Sequence, residues 1–205
     1  MKTFLGQSGS FKLSNFSNLQ EIELLEGIKV KLIDDTYSSE IINFILNKDS
    51  FLDYQIKILN DDLEKEIKFI LIGPGASLKA KCIYEGFEAK VCKLKTLQHH
   101  IASNTVSHLE IKTVLHNNSR LFCDSIIKIE PSVQDVSAYE QNKNFLLGDD
   151  ARVITIPKLE VAAKNVSIRH GAAISYLDAE QIFYLQSRGL SFEVAKKVLI
   201  DAFLN

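Results

Sequence analysis

The sequence lacks several features that would indicate a membrane, secreted or nucleic-acid-binding protein. It contains no run of eighteen apolar residues, so no segment is predicted to span a bilayer. The N-terminal stretch has an apolar core too short for a secretory signal. A net charge of −2 gives no broad attraction to nucleic acid or to an anionic lipid surface. We therefore expect neither nucleic acid nor a membrane among the partners of this protein.

Cysteine is also scarce, because the chain has only Cys82, Cys92 and Cys123. An odd number at wide spacing is typical of a reduced intracellular protein rather than of a disulfide framework. None of the spacings fits a metal finger. We interpret all three as core residues, with a redox or ligand role of Cys123 as the alternative, and we expect a cytoplasmic location.

Motifs of a self-contained catalytic site are missing as well. Gly73-Pro74-Gly75 is not followed by the Gly-Lys-Ser/Thr of a nucleotide-binding loop, so it predicts a tight turn. No nucleophile elbow, zinc-protease motif or carboxylate pair stands out. A carbohydrate-active β-helix enzyme is disfavoured because acids are not clustered and the chain has no tryptophan. We predict that the protein is not an enzyme.

The adjacent residues His99 and His100 resemble a metal-binding pair. Neighbouring residues on a strand point to opposite faces, however, so the two rings are not expected to share a ligand. We predict that one of them faces inward, and a metal site is the alternative. His108 and His116 are expected at the surface or in turns.

What the chain does contain is a series of short polar–apolar alternations, with 46% hydrophobic and 24% charged residues in 205. Ile28, Val30 and Leu32 alternate with lysines and predict a strand, whereas Ser38 to Leu46 has the pattern of a short helix. Further strands are predicted at 54–58, 67–71, 77–82, 87–91, 108–112, 125–129 and 151–156. Evenly spaced short strands indicate a sandwich, a barrel or a β-solenoid, and the pattern alone does not choose among them.

The last thirty residues predict a helical hairpin. Asp178 and Gln181 have the spacing of a capping box at the start of a first helix. Gly189 follows where a left-handed residue ends a helix, and Ser191 can cap a second one. The apolar positions of the second helix recur at helical spacing, and they are Val194, Ala195, Val198, Leu199, Ala202 and Phe203.

Four segments of this C-terminal part form an ordered series: Pro157-Lys158-Leu159-Glu160-Val161, Lys164-Asn165-Val166, His170-Gly171-Ala172 and Leu177-Asp178-Ala179-Glu180-Gln181-Ile182-Phe183-Tyr184-Leu185-Gln186-Ser187-Arg188-Gly189-Leu190. This series resembles, in the same order, the C-terminal signature of the SufB/SufD family, the paired scaffold proteins of SUF iron–sulfur cluster assembly. The His-Gly-Ala triplet is closest to SufD members. The resemblance is strong from Val114 onward and weak between 69 and 107.

The resemblance implies a fold of class mainly β. Family cores are right-handed parallel β-helices flattened into two sheets, followed by a small helical hairpin. On this basis residues 1–165 are expected to form the β-helix core with a short N-terminal segment, and residues 166–205 a C-terminal helical subdomain. The long helical region that precedes the core of full-size SufD proteins is expected to be missing or reduced. The hairpin and a partner subunit are the expected covers of the last coil.

The resemblance also implies a function. The chain would be a non-enzymatic SufD-like subunit that pairs with a SufB-like subunit and docks the ATPase SufC. His170 would lie at the subunit interface as an iron or cluster ligand; the alternative is a histidine that bonds backbone at a strand-to-helix corner. The family has a cysteine where this chain has Ile168, so other ligands would come from the partner. We expect no tightly bound cofactor, only a transient iron–sulfur cluster at that interface.

Docking of SufC is implied for the hairpin, through Phe183, Tyr184, Arg188 and Gly189. The alternative is that the two rings only hold the hairpin on the last coil, and that Arg188 caps carbonyl groups. Because adjacent helix positions point about 100° apart, one ring is expected to face inward and the other outward. A second hypothesis for the whole chain is a homo-oligomeric structural or binding β-solenoid that no longer serves cluster assembly. A homodimer is also possible for a SufD-like chain without its partners.

Overall fold

The computed structural model describes residues 2–16, 20–36 and 41–205. Within these residues fourteen strands, numbered in chain order, form two sheets of seven parallel strands. The odd sheet contains β1 (Lys2–Leu5), β3 (Glu21–Leu24), β5 (Ile41–Leu46), β7 (Leu63–Leu71), β9 (Val91–His100), β11 (Arg120–Ile129) and β13 (Arg152–Val161). The even sheet contains β2 (Gly9–Lys12), β4 (Lys29–Asp34), β6 (Phe51–Leu59), β8 (Ser77–Gly86), β10 (Val106–Leu115), β12 (Val136–Leu146) and β14 (Val166–Tyr176). A 3₁₀ turn (Leu13–Asn15) follows β2, and the helices α1 (Ala179–Ser187) and α2 (Phe192–Leu204) end the chain.

The chain alternates between the two sheets, so each coil adds one strand to each sheet. Every strand therefore pairs in parallel with the strand two places further along the chain, as β9 does with β11. This architecture is a parallel two-sheet β-solenoid followed by two helices, and the predicted fold class is confirmed. The strand predicted at Ile28, Val30 and Leu32 corresponds to β4.

The core lies between the sheets and arises from strand alternation. On β9, Cys92 and Leu94 are buried whereas Lys93 and Lys95 are exposed, because successive side chains point to opposite faces. The early coils are filled by large apolar groups, among them a cluster of Phe44, Tyr54 and Phe69. The three cysteines are buried and free, so their interpretation as core residues is confirmed.

The coils become wider along the chain. Lys2 pairs in register with Glu21, 19 residues later, whereas Arg120 pairs with Arg152, 32 residues later. The strands also become longer along the chain, from 4 residues in β1 to 11 in β14. The last coils therefore enclose a longer interior face than the first.

One corner of the solenoid is a column of residues in the left-handed conformation. It includes Asp49, Gly75, Asn104 and Asp135, with φ of 54°, 76°, 58° and 55°. The backbone N–H of Gly75 donates to the Asn104 carbonyl at 3.1 Å, which links one coil to the next. A Cβ at Gly73 would overlap the backbone of Lys48, so this turn requires glycine at that position. The predicted tight turn at Gly73-Pro74-Gly75 is confirmed.

Two local predictions are wrong. The helix predicted from Ser38 to Leu46 is strand β5 over its described part, Ile41–Leu46, while 38–40 lie outside the described residues. Its apolar run is wedged between β3 and β7, and this pairing overrides local helix propensity. The strand predicted at 87–91 is mostly a corner, where Glu88 has a φ of 55°, because the chain must turn there between β8 and β9.

The hairpin forms through the predicted caps. The Asp178 carboxylate accepts from the backbone N–H groups of Glu180 and Gln181, and the Ser191 hydroxyl accepts from that of Val194. Gly189 has a φ of 93°, as expected for the residue that ends α1.

The position of the hairpin differs from the prediction. Helix α2 packs with Ile200 and Leu204 on Val114 and Phe145, which lie on the outer face of the even sheet. The apolar face predicted for the second helix is wrong in part, because Val194 and Val198 are exposed. The hairpin therefore covers the flank of the solenoid and does not cover its last coil.

Candidate functional site

The last coil, formed by β13 and β14, is named here the terminal coil, and it is open. In the described part of the chain no strand follows either one in its sheet. Leu159 pairs with the fully buried Ile127 and therefore points inward, yet it is 53% exposed. Ile174 also lies at an inward register position and is 50% exposed. Because a solenoid coil buries its inner face only against neighbours, the terminal coil presents bare apolar side chains and two free strand edges.

One corner of the terminal coil is closed by apolar packing. There Ile129, Val133 and Val136 pack with Val166 and Ile168. At the opposite end of β14, Tyr176 is largely exposed. The terminal coil is therefore anchored near Val166 and open toward the helices.

His170 lies in the middle of β14, in register with Glu140 of β12. His170 does not lie at a strand-to-helix corner, because β14 continues to Tyr176. His170 Nε2 lies 3.5 Å from Glu140 Oε1, and Nδ1 has no hydrogen-bond partner. The alternative prediction was that the His170 ring bonds to backbone at a corner. Among the described residues, no hydrogen bond from this ring to a backbone group supports it.

His170 belongs to a group of inward-facing polar side chains from β9, β11, β12 and β14, named here the interior polar cluster. Its members are Thr96, Gln98, Ser125, Glu140, Asn142 and His170. Gln98 Nε2 donates to Glu140 Oε2 at 3.2 Å, and Asn142 Nδ2 donates to Thr155 Oγ1 at 3.1 Å. Each member nevertheless keeps one buried polar atom without a hydrogen-bond partner. Such atoms are rare in folded proteins, so the interior polar cluster is a candidate site for a ligand.

Burial controls the electrostatics of this cluster. It raises the pKa of Glu140, and the nearby Ser125 and Gln98 side chains offset only part of that effect. Burial also lowers the pKa of the His170 imidazole. Both shifts disfavour the charged forms. At neutral pH the His170 ring is therefore neutral, with one nitrogen able to accept a proton or a metal ion.

Thiolate ligands are not available from this chain at the terminal coil. Residue 168, where the resemblance implies a cysteine, is isoleucine, and none of the three cysteines lies on β13 or β14. Burial raises the pKa of the Cys82, Cys92 and Cys123 thiols, to about 12 for Cys92. They remain protonated at neutral pH and are poor ligands.

The histidine pair divides between the two faces of β9, as predicted. His100 is fully buried and hydrogen-bonds with its two ring nitrogens to Thr105 Oγ1 at 2.7 Å and Ser107 Oγ at 2.9 Å. His99 faces outward and contacts Glu130 at 2.7 Å. The two rings do not converge on one site.

The hairpin is the second exposed region. Phe183 is 73% exposed and Tyr184 is 57% exposed, so the prediction that one ring faces inward is wrong. Ile182 is the buried residue of α1 instead. The guanidinium of Arg188 lies 5.3 Å from the centre of the Tyr184 ring. Neither ring holds the hairpin on the terminal coil, and both are free to contact another molecule.

Two features are absent from the described ranges of the chain. No three or more His, Cys, Asp or Glu side chains are grouped so as to hold a metal ion. No helix there is long and apolar enough to cross a membrane. A metal bound by this part of the chain alone would need neutral oxygen ligands or water beside one or two charged groups.

The fold and the two exposed regions define a class of protein: a parallel β-solenoid with an uncovered terminal coil and a C-terminal hairpin that displays aromatic rings. A family model described as "SUF system FeS cluster assembly, SufBD core domain" matches residues 21–203. The chain belongs to the SufBD family.

Curated relatives agree with this assignment. The iron–sulfur cluster assembly protein SufD of Escherichia coli (strain K12) is 31% identical over 133 residues, which are 65% of this chain and 31% of the relative. A SufBD family protein of Synechocystis sp. is 43% identical over 77 residues, 38% of this chain and 17% of the relative. A SufBD family protein of Staphylococcus epidermidis is 27% identical over 135 residues, 66% of this chain and 29% of the relative. The chain thus spans less than a third of the length of these relatives.

Sequence reasoning found His170 but missed Glu140 and Gln98. The signal was present in β12, where the inward positions change from Val136 and Ala138 to Glu140 and Asn142. Polar residues at inward positions of an alternating strand indicate a polar interior, provided that the register of the strand is known.

Proposed function

We propose that the chain is a non-enzymatic, SufD-like subunit of a SUF iron–sulfur cluster assembly scaffold in the cytoplasm. It pairs with a SufB-like subunit through the terminal coil and docks a SufC-like ATPase through the hairpin. The observation that carries this proposal is the uncovered inner face of the terminal coil in a chain of the SufBD family.

The terminal coil supports pairing with another solenoid. Its two edge strands offer unpaired backbone groups, and added strands satisfy such groups with main-chain hydrogen bonds. Burial of Leu159 and Ile174 by a partner coil would add hydrophobic stabilisation of about 25 cal/mol per Å² of apolar surface. A SufB-like subunit has the matching architecture because its family shares this core.

The hairpin supports docking of the ATPase. Large aromatic side chains with a nearby arginine are the groups that most often dominate binding energy at interfaces. Phe183 and Tyr184 project from α1, while α2 fixes the hairpin to the even sheet. Force generated by a nucleotide-driven partner would thus pass through α2 to β10 and β12. Gly189 ends α1 and sets the angle between the helices.

In this proposal the cluster is cargo and not a resident cofactor. His170 contributes at most one ligand at the paired interface, and thiolates come from the SufB-like subunit because Ile168 replaces the family cysteine. The neutral imidazole of His170 suits iron.

The experiment is co-purification of the chain with SufB-like and SufC-like proteins from the same organism. A Phe183→Ala/Tyr184→Ala variant is expected to lose the SufC-like protein and to keep the SufB-like one, with an unchanged Tm because both rings are exposed. Phe4→Ala is the matched control, since Phe4 is also exposed but lies on the first strand. Absence of both partners from the wild-type complex would contradict the proposal.

The absence of a thiol at the terminal coil favours a second candidate, a homo-oligomeric β-solenoid that has left cluster assembly. In that case the terminal coils of two copies would cover each other. Light scattering that shows a stable dimer, together with no iron after anaerobic reconstitution with the partners, would support this candidate over the first.

A further inference from the structure

A row of outward-facing side chains crosses the last three strands of the even sheet. His108 on β10 is in register with Tyr139 on β12, and Tyr139 is in register with Arg169 on β14. Successive residues on a strand point to opposite faces, and the neighbours of Arg169, Ile168 and His170, point inward. Arg169 therefore points away from the interior polar cluster, and the row belongs to a different surface.

The row borders a surface cavity of about 460 Å³, named here the outer cavity. Its lining residues are His108, Ser137, Ala138, Tyr139, Ser167 and Arg169. Ser137 and Ser167 are in register with each other at the outward positions just before the row, and their small side chains lower the surface there. The volume lies within the range of roughly 300–1,000 Å³ that is usual for small-molecule sites.

The outer cavity offers hydrogen-bond donors and no carboxylate. Its lining includes the guanidinium of Arg169 and the hydroxyls of Ser137, Tyr139 and Ser167, and none of the six lining residues is acidic. Within the described part of the chain, the Arg169 side chain forms no ion pair or hydrogen bond, and neither do the three hydroxyls. Four polar groups of one cavity are thus available to a ligand.

The lysines further along the same sheet face show the contrast. Lys81, Lys112 and Lys143 lie 4.0, 3.7 and 4.0 Å from the carboxylate of Glu110. Their charges therefore have an acid on the sheet itself, whereas the charge of Arg169 is not matched by one among the described residues. A guanidinium presents a planar fork of N–H donors that suits phosphate and carboxylate oxygens.

The number of donors favours phosphate over a carboxylate. A phosphate group carries nearly two negative charges and three strong acceptor oxygens, whereas a carboxylate has one charge and two oxygens. Serine and tyrosine hydroxyls are common donors to phosphate oxygens beside arginine. A phosphate group can therefore use the guanidinium and the hydroxyls together.

We propose that the outer cavity binds the phosphate group of a small ligand, either inorganic phosphate or a phosphate monoester. Arg169 supplies the charge, and the hydroxyls of Ser137, Tyr139 and Ser167 donate to the remaining oxygens. The rings of His108 and Tyr139, with centres 4.6 Å apart, offer aromatic surface to the organic group of an ester. This site goes beyond the proposed function because it needs neither a SufB-like nor a SufC-like partner.

The test is isothermal titration calorimetry of the purified chain with inorganic phosphate, phenyl phosphate and acetate, at constant ionic strength in a phosphate-free buffer. One equivalent of phosphate is expected to bind, and acetate is expected to bind about tenfold more weakly. Tighter binding of phenyl phosphate than of inorganic phosphate would identify a monoester as the ligand. Equal or weaker binding would identify inorganic phosphate.

Two variants test the assigned residues. Arg169→Gln is expected to weaken phosphate binding by at least about tenfold, because it removes a charged donor. Tyr139→Phe keeps the ring and removes one hydroxyl, so it is expected to weaken binding by about threefold. Arg169 is exposed and has no partner within the described chain, so Arg169→Gln is expected to keep the Tm of the ligand-free wild type.

The matched control is Arg120→Gln, because Arg120 is also exposed and forms no ion pair with a described residue, but lies on β11 of the odd sheet. Phosphate is expected to raise the Tm of the wild type and of this control but not of Arg169→Gln. No phosphate binding, equal binding of acetate and phosphate, or binding that Arg169→Gln leaves unchanged would overturn the proposal. Failure of partner co-purification would bear only on the proposed function, because this titration uses the chain alone.

Discussion

The early coils and the last coils both bury ionisable side chains, but these side chains have different sets of hydrogen-bond partners. In the early coils Lys65 Nζ lies 2.6 Å from Asp34 Oδ2, and the Tyr54 hydroxyl donates to the same atom at 2.6 Å. Thr36 donates to Asp34 Oδ1 from its backbone N–H at 3.0 Å and from its hydroxyl at 2.6 Å. In the last coils Glu140 has one satisfied oxygen and one without a hydrogen bond.

The difference follows position in the solenoid. Asp34 and Lys65 lie in coils that have neighbours on both sides, so the network has fixed partners and serves the fold. Glu140 lies one strand from the open edge, where the next layer ends at β14. Locally unsatisfied groups in an otherwise consistent fold tend to mark functional sites. We therefore expect the hydrogen-bonded group around Asp34 and Lys65, named here the early network, to stabilise the fold. We expect the interior polar cluster to serve binding.

The largest expected effect is on the early network. Lys65→Met leaves Asp34 buried without its cation, and removal of one partner of a buried ion pair is expected to lower the free energy of unfolding by about 3–5 kcal/mol. Urea unfolding measures this. The double variant Asp34→Asn/Lys65→Met removes both charges and is expected to recover part of the loss.

The matched control for that prediction is Lys48→Met. Lys48 pairs with Glu26 at 3.0 Å with both side chains exposed, and such pairs contribute about 0–1 kcal/mol. Equal losses for Lys65→Met and Lys48→Met would show that the buried network has no special role in stability.

A second, smaller effect concerns pH. Burial, followed by the neighbouring His99, lowers the pKa of His100 to about 4, below the usual 6.5. Between these values the unfolded chain binds a proton that the folded chain does not, so stability falls as pH decreases from 6.5 toward 4, by up to roughly 3 kcal/mol. His100→Gln retains a hydrogen-bonding side chain without titrating and is expected to lose this dependence in unfolding curves measured from pH 7 to pH 4. The same slope in both proteins would contradict this assignment.

Local features of the fold could be predicted from the sequence. The alternation in β4 and the caps at Asp178 and Ser191 depend on residues within a few positions of each other, and all are present. The helix predicted up to Leu46 failed because pairing with distant strands decided its conformation. The place where the hairpin docks also depends on distant residues, such as Val114 and Phe145.

The candidate site could be predicted only in part, for a related reason. His170 was identified through a family motif, which is local. Its neighbour Glu140 lies 30 residues earlier and meets it only through the register of β12 and β14. Because the coil length changes along the chain, no fixed repeat in the sequence gives that register.

The smallest expected effect on stability is at the terminal coil, and it separates folding from binding. Leu159→Ala removes a side chain that is 53% exposed, so the unfolding free energy of the chain alone is expected to change by less than about 0.5 kcal/mol. Leu121→Ala, at a buried inward position of β11, is the control and is expected to lose about 2–5 kcal/mol. If a partner covers the terminal coil, Leu159→Ala should instead weaken its capture in the co-purification experiment. A large loss of stability in the isolated chain would mean that Leu159 already has its partners within one chain, and that the terminal coil is not an interface.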